Sequence, residues 1–206
     1  AQKIAEELKN SHLTINSVSS QKYEKQGPRP FTTSTLQQES GRKLKMSTRN
    51  TMSAAQELYE NGHITYMRTD SVSISNDAIK GIRNTISQSY GNNYLTKQIR
   101  MHASKNKNSQ EAHEAIRPTG NEPLHPDQLP SSLSPNAKKL YKIIWQRTLA
   151  SQMSNMQATR MKISALTNLE KEGQAEFVAQ GSKIDFDGFQ VLYKEDVDEI
   201  DETNMK

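Results

Sequence analysis

The apolar positions of this 206-residue chain change period twice. Ile4, Ala5 and Leu8 form one short helical stripe, and His12 to Tyr23 reads as a strand with Leu13 and Ile15 on one face. Gln26-Gly27-Pro28-Arg29-Pro30 then breaks the pattern, because neither proline can continue a ladder or a helix. Helical periods follow. Ser34 is placed to cap a helix running to about Lys45. Ser47 is placed to cap another, with Met52, Ala55, Leu58 and Tyr59 on one side before Asn61-Gly62 stops it. Ser75 opens a third, with Ala78, Ile79, Ile82 and Ile86 as its stripe, ending at Tyr90-Gly91. Ser134-Pro135 is an N-cap and first-turn pair for a helix carrying Leu140, Tyr141, Ile144 and Leu149.

Beyond residue 158 the period falls to two. Met161, Ile163 and Ala165 alternate, as do Ala175, Phe177 and Ala179, and again Phe189, Val191 and Tyr193. Lys171-Glu172-Gly173 and Asp187-Gly188 supply turns. The pattern predicts an α+β chain of more than one domain. A mainly helical domain over 28–158 is inserted between strands, 1–27 and 159–194, of an all-β domain, and 195–206 is an acidic loop or frayed end.

Composition sharpens this picture. Zero cysteine excludes a disulfide scaffold, a thiol nucleophile and any Cys-ligated zinc or iron–sulfur site. No apolar run approaches the length of a membrane-spanning helix, and the first ten residues lack a signal peptide's apolar block, which predicts a cytoplasmic chain. Mean hydropathy is −0.87, and Leu, Ile, Val and Phe make up 37 of 206 residues. That is below the roughly 20% at which disorder sets in for strongly charged chains, but the net charge is only +4. A piece of a larger protein, with faces meant for absent partners, has the same thin core, and the opening at Ala1 fits an excised fragment. The charge is unevenly spread: residues 1–158 hold 21 Lys and Arg against 12 Asp and Glu, and residues 159–206 hold 6 against 11. The basic excess in the longer part favours a polyanion partner.

Several chemistries are absent. There is no phosphate-binding glycine loop, and the five histidines never pair at metal-binding spacing. Two stretches are dense in reactive side chains. In Gly62-His63-Ile64-Thr65-Tyr66-Met67-Arg68-Thr69-Asp70-Ser71, a tyrosine and an arginine two apart share one side of an extended segment. A phenol is a weak nucleophile at neutral pH (reference pKa about 10), a neighbouring cation favours its phenolate, and a guanidinium grips a phosphate bidentately. Together they are equipment for phosphodiester transesterification. Ser109 to Thr119 packs Glu111, His113, Glu114 and Arg117 ahead of an Arg-Pro that forces extended backbone. Read alone, Tyr66 serves as well as a half-buried structural ring, His113 as an imidazole on a helix-end carbonyl, and the chain as a non-catalytic basic DNA-binding module.

In combination these stretches resemble the bacterial type IA DNA topoisomerases, in their topoisomerase I branch. The family's I-T-Y-M-R-T-D-S stretch stands complete at 64–71, and Pro30 to Glu39 is similar to its F-[TI]-T-S-T-L-Q-Q segment. Thr51-Met52 with Ala55 to Glu60 resembles its helix before the tyrosine, and Gln110 to Thr119 its Q-E-A-H-E-A-I-R-P-[ST] signature. A tyrosine recombinase fits less well, because there the tyrosine lies near the C-terminus, after the other motifs.

The resemblance implies that Tyr66 is the nucleophile taking the 5′ phosphate of a cut single strand and that Arg68 positions that phosphate. It implies DNA contacts from His113 and Arg117 as well as Arg68, and supporting roles for Glu60 and Asp70. The implied partners are DNA, single-stranded at the cleavage site, and the remaining domains of a monomeric, nucleoid-associated parent. Magnesium is expected in the parent, on a domain without counterpart here, and no metal is expected within this chain. The flanking strands match part of the family's gate arch. Residues 1–206 alone are expected not to cut DNA.

Overall fold

The computed structural model describes residues 8–9, 11–102, 114–169 and 173–194. It divides into two compact units: Ala1–Lys25 with Met156–Asp187, and Gln26–Asn155 with Gly188–Lys206. The fold class is α+β. Ile4 and Ala5 of the first helical stripe, Lys171 and Glu172 of one expected turn, and the acidic run from Glu195 lie outside the described residues.

The first unit is a three-stranded antiparallel sheet in the order β1 (Thr14–Lys25), β2 (Met156–Leu169), β3 (Gly173–Phe186). Register aligns Ile15 with Ala165 and Phe177, and Val18 with Ile163 and Ala179. The alternating apolar residues of all three strands therefore share one face. A bulge between Ile15 and Ser17 keeps Ile15 and Val18 on that face.

The second unit holds helices α1 (Thr33–Leu44), α2 (Thr48–Glu60), α3 (Asn76–Tyr90) and α4 (Pro135–Ala150). The α4 helix packs against the other three and is buried on most sides, through Ala137, Leu140, Tyr141, Ile143, Ile144, Trp145 and Leu149. Each fully buried Leu or Ile contributes about 2 kcal/mol. Ser134 caps α4 as predicted, accepting from the Ala137 amide at 3.2 Å. The Glu57 carboxylate in turn accepts from the Ser134 amide and hydroxyl at 2.7 and 2.6 Å, which ties the end of α2 to the start of α4. Among the described residues no helix is long and apolar enough to cross a membrane.

Three expectations are corrected. The cap of α1 is Thr32 rather than Ser34: Thr32 is extended, and its side chain and that of Thr35 bond reciprocally to each other's amides at 3.3 and 2.9 Å. The buried face of α2 is Thr51, Ala54, Ala55 and Leu58, with Tyr59 left 41% exposed. Thr51 can go inside because its hydroxyl donates to Ser40 Oγ at 2.9 Å. Phe189, Val191 and Tyr193 do not make a strand; Gly188–Val191 is a 3₁₀ turn. Phe189 and Tyr193 are buried in the helical unit, where the Tyr193 hydroxyl donates to Glu39 and accepts from Arg147 at 2.9 Å. Burial pushes the Tyr193 phenol well above its usual range.

Candidate active site

The segment that carries Tyr66 leaves α2 through a turn at Gly62, whose φ of +72° suits glycine. The His63 amide still bonds the Leu58 carbonyl at 2.8 Å. From there the chain passes, with bends at Thr65, Met67 and Arg68, between two other motifs. On one side Ile64 pairs with Pro118, the Thr65 amide donates to the Arg117 carbonyl at 2.9 Å, and the Thr65 hydroxyl donates to the Ala115 carbonyl at 2.7 Å. The Arg117 amide returns a bond to Thr65 Oγ1 at 3.0 Å. On the other side the Thr33 hydroxyl, at the start of α1, donates to the carbonyls of Met67 and Thr69 at 2.7 and 3.1 Å. A bridge between Phe31 and Ile116 closes the ring of contacts. Three motifs scattered over about 90 residues of sequence thus meet at one place.

Exposure from Tyr66 to Ser71 alternates strictly. Met67, Thr69 and Ser71 are buried, while Tyr66 (40%), Arg68 and Asp70 emerge. Tyr59, in the last turn of α2, meets the Tyr66 ring edge-on, with centroids 5.2 Å apart at 65°. Glu60 is exposed and accepts from Gln56 Nε2 at 2.5 Å. His113 lies outside the described residues.

Arg117 does not emerge with Tyr66 and Arg68. It is only 9% exposed, and its guanidinium bonds Glu114 Oε2 at 2.6 Å and the Pro118 carbonyl at 2.8 Å. Glu114 also accepts from the Ser75 amide at 2.7 Å, supplying the cap that Ser75's own side chain does not provide for α3. Burial would raise the Glu114 carboxyl, but the bonds from Arg117 and Ser75 outweigh it and hold the group below the usual carboxylate value. Arg117 and Glu114 form an internal tie between the third motif and the start of α3.

Sequence reading missed the contact of Tyr59 with Tyr66 and the bonds that Thr33 and Thr65 make around the Tyr66 segment. The only signal for Thr33 was a run of four hydroxyl residues, Thr32 to Thr35, in which nothing distinguishes the helix cap from the cross-link.

A profile of the DNA topoisomerase family matches residues 1–206. The chain belongs to that family, in its bacterial type IA branch. It is similar to DNA topoisomerase 1 of Mycolicibacterium smegmatis, 45% identical over 197 residues, covering 96% of this chain and 21% of that protein. It is also similar to DNA topoisomerase 1 of Synechococcus elongatus, 51% identical over 172 residues, covering 84% of this chain and 19% of the relative. Full-length topoisomerase I from Thermotoga maritima superposes with a TM-score of 0.78 at 34% identity, covering 96% of this chain and 32% of that one. The chain spans about a fifth of the length of these two curated relatives.

Proposed function

We propose that Tyr66 is the nucleophile of a type IA topoisomerase that relaxes negatively supercoiled DNA without ATP. The tyrosine Oη attacks the phosphorus of one strand, the bond from phosphorus to the 3′ oxygen breaks, and that oxygen takes up a proton while the phenol gives one up. The product is a 5′-phosphotyrosine and a free 3′ hydroxyl. After another strand has passed, the 3′ hydroxyl attacks the phosphotyrosine, reforming the original bond and returning a proton to the phenolate. The covalent link conserves the energy of the broken ester, so no nucleotide hydrolysis is needed.

The observation that carries this reading is the outward placement of Tyr66 on a segment whose neighbouring residues are pinned from both sides. Arg68, two residues on and also exposed, is the group to hold the phosphate. His113 is assigned a DNA phosphate contact, Arg117 acts from within by holding the third motif, and Glu60 and Asp70 support. The magnesium expected in the parent belongs, in this reading, to a domain outside these residues. No step here runs through it, and residues 1–206 alone are inactive in this reading; magnesium-dependent cleavage by the purified chain would refute that.

The test is covalent trapping on the full-length parent, with magnesium and a single-stranded oligonucleotide labelled at its 3′ end. Label should migrate with denatured wild-type protein and not with Tyr66→Phe. Label on neither, with the oligonucleotide still bound, would make the chain a non-catalytic binding module.

A further inference from the structure

Thr33 occupies an unusual place for a residue in the first turn of a helix. The first amides of a helix have no partner inside it, and that of Thr33 donates instead to the Thr69 carbonyl at 2.9 Å. Its hydroxyl does more. It lies 2.7 Å from the Met67 carbonyl and 3.1 Å from the Thr69 carbonyl, and accepts from the Thr69 amide at 2.8 Å. One side chain therefore grips the backbone on both sides of Arg68. On the N-terminal side, Thr65 is held by Ala115 and Arg117. Tyr66 is the residue between the two grips. Thr32 and Thr35 cap the helix by themselves, so α1 does not need the Thr33 hydroxyl for its own start.

We infer that Thr33 is a positioning residue for the reaction, directing Tyr66 and Arg68 toward the same phosphate by holding the peptide groups that flank them. The inference rests on the reading of Tyr66 as nucleophile. Loss of the hydroxyl leaves the Met67 carbonyl and Thr69 amide without this partner and frees the segment to turn, and a misplacement of about 1 Å costs on the order of a hundredfold in rate.

The experiment compares Thr33→Val, which keeps the shape and loses the hydroxyl, with Thr33→Ser, which keeps the hydroxyl, both in the full-length parent. Single-turnover cleavage and religation of the 3′-labelled oligonucleotide are followed, with DNA affinity measured separately. Thr33→Val should slow cleavage and religation by the same factor, about a hundredfold. The final fraction of covalent complex and the DNA affinity should stay as in wild type, and Thr33→Ser should recover most of the rate. A purely structural role has a different signature: fewer competent molecules, hence a smaller amplitude, with an unchanged rate constant. That result, wild-type rates for Thr33→Val, or a Thr33→Val protein that does not fold would each overturn the inference. Tyr66→Phe run alongside separates the two levels. If it still forms adduct, the nucleophile assignment fails; if it forms none while Thr33→Val is normal, only the role of Thr33 fails.

Discussion

Buried polar side chains in the helical unit are matched with partners: Thr51 with Ser40, Arg117 with the part-buried Glu114, Glu39 with Tyr193. In the three-stranded sheet the displacement runs the other way. Ile15, Val18, Met161 and Phe177 lie on one shared face by register and remain exposed, Ile15 by 60%. The difference separates two things that hydrophobic patterning specifies. In α3 and α4 the apolar stripe predicts both direction and burial. In the sheet, alternation sets register and face, because a slip of one residue would mix the two faces, yet it says nothing of how much surface leaves water. Stability should therefore be concentrated in the helical unit.

Substitutions can break that comparison at graded strengths. Tyr66→Phe should abolish adduct formation in the parent, since loss of a nucleophile costs on the order of 10⁶ in rate. The same change should leave the urea midpoint of this chain unmoved, because the ring is half exposed. That midpoint is readable through Trp145, the single tryptophan, which is buried in α4. Ile116→Ala removes a fully buried side chain beside the Tyr66 segment and should cost about 3 kcal/mol. Gly81→Ala should cost about 2 kcal/mol by the same measurement, since a Cβ there would lie 1.4 Å from the Asn121 carbonyl oxygen.

A weaker effect comes from His102. Burial holds it below its ordinary value of 6.5, with Arg29 and Arg100 adding to the effect against a bond to the Ser151 carbonyl. As pH falls through 6.5 the unfolded chain takes the proton first, so stability present above that pH should decline toward and through the lower folded value. His102→Gln should flatten this part of the profile. Ile15→Thr, on the open sheet face, should change the unfolding midpoint by less than about 0.5 kcal/mol. A large loss there would show that the sheet carries stability of its own.

The helices were legible because their signals are local. Ser47, Ser75 and Ser134 stand at the N-caps of α2, α3 and α4, and the stripes of α3 and α4 are the buried ones. The sequence was least legible where a local pattern has two solutions. Phe189 and Tyr193 satisfy a strand's alternation, but they also bury together at a 3₁₀ turn with Val191 exposed. Arg117 stands in a motif with every mark of ligand contact, and its inward turn depends on Glu114 and on carbonyls whose direction the sequence does not state. The motifs name segments that the fold brings together, while the bonds between them join residues tens of positions apart.

Those separations carry a consequence for how the molecule comes into being. The bonds around the Tyr66 segment span 34 to 52 residues, whereas helical turns close over four. Contacts between distant residues form slowly, after local ones, and α1, α2 and α3 can wind before any of these bonds is made. A ribosome must also have released residues 115–119 before Thr65 can find its partners. The Tyr66 segment thus reaches its final orientation only after residues tens of positions apart have met.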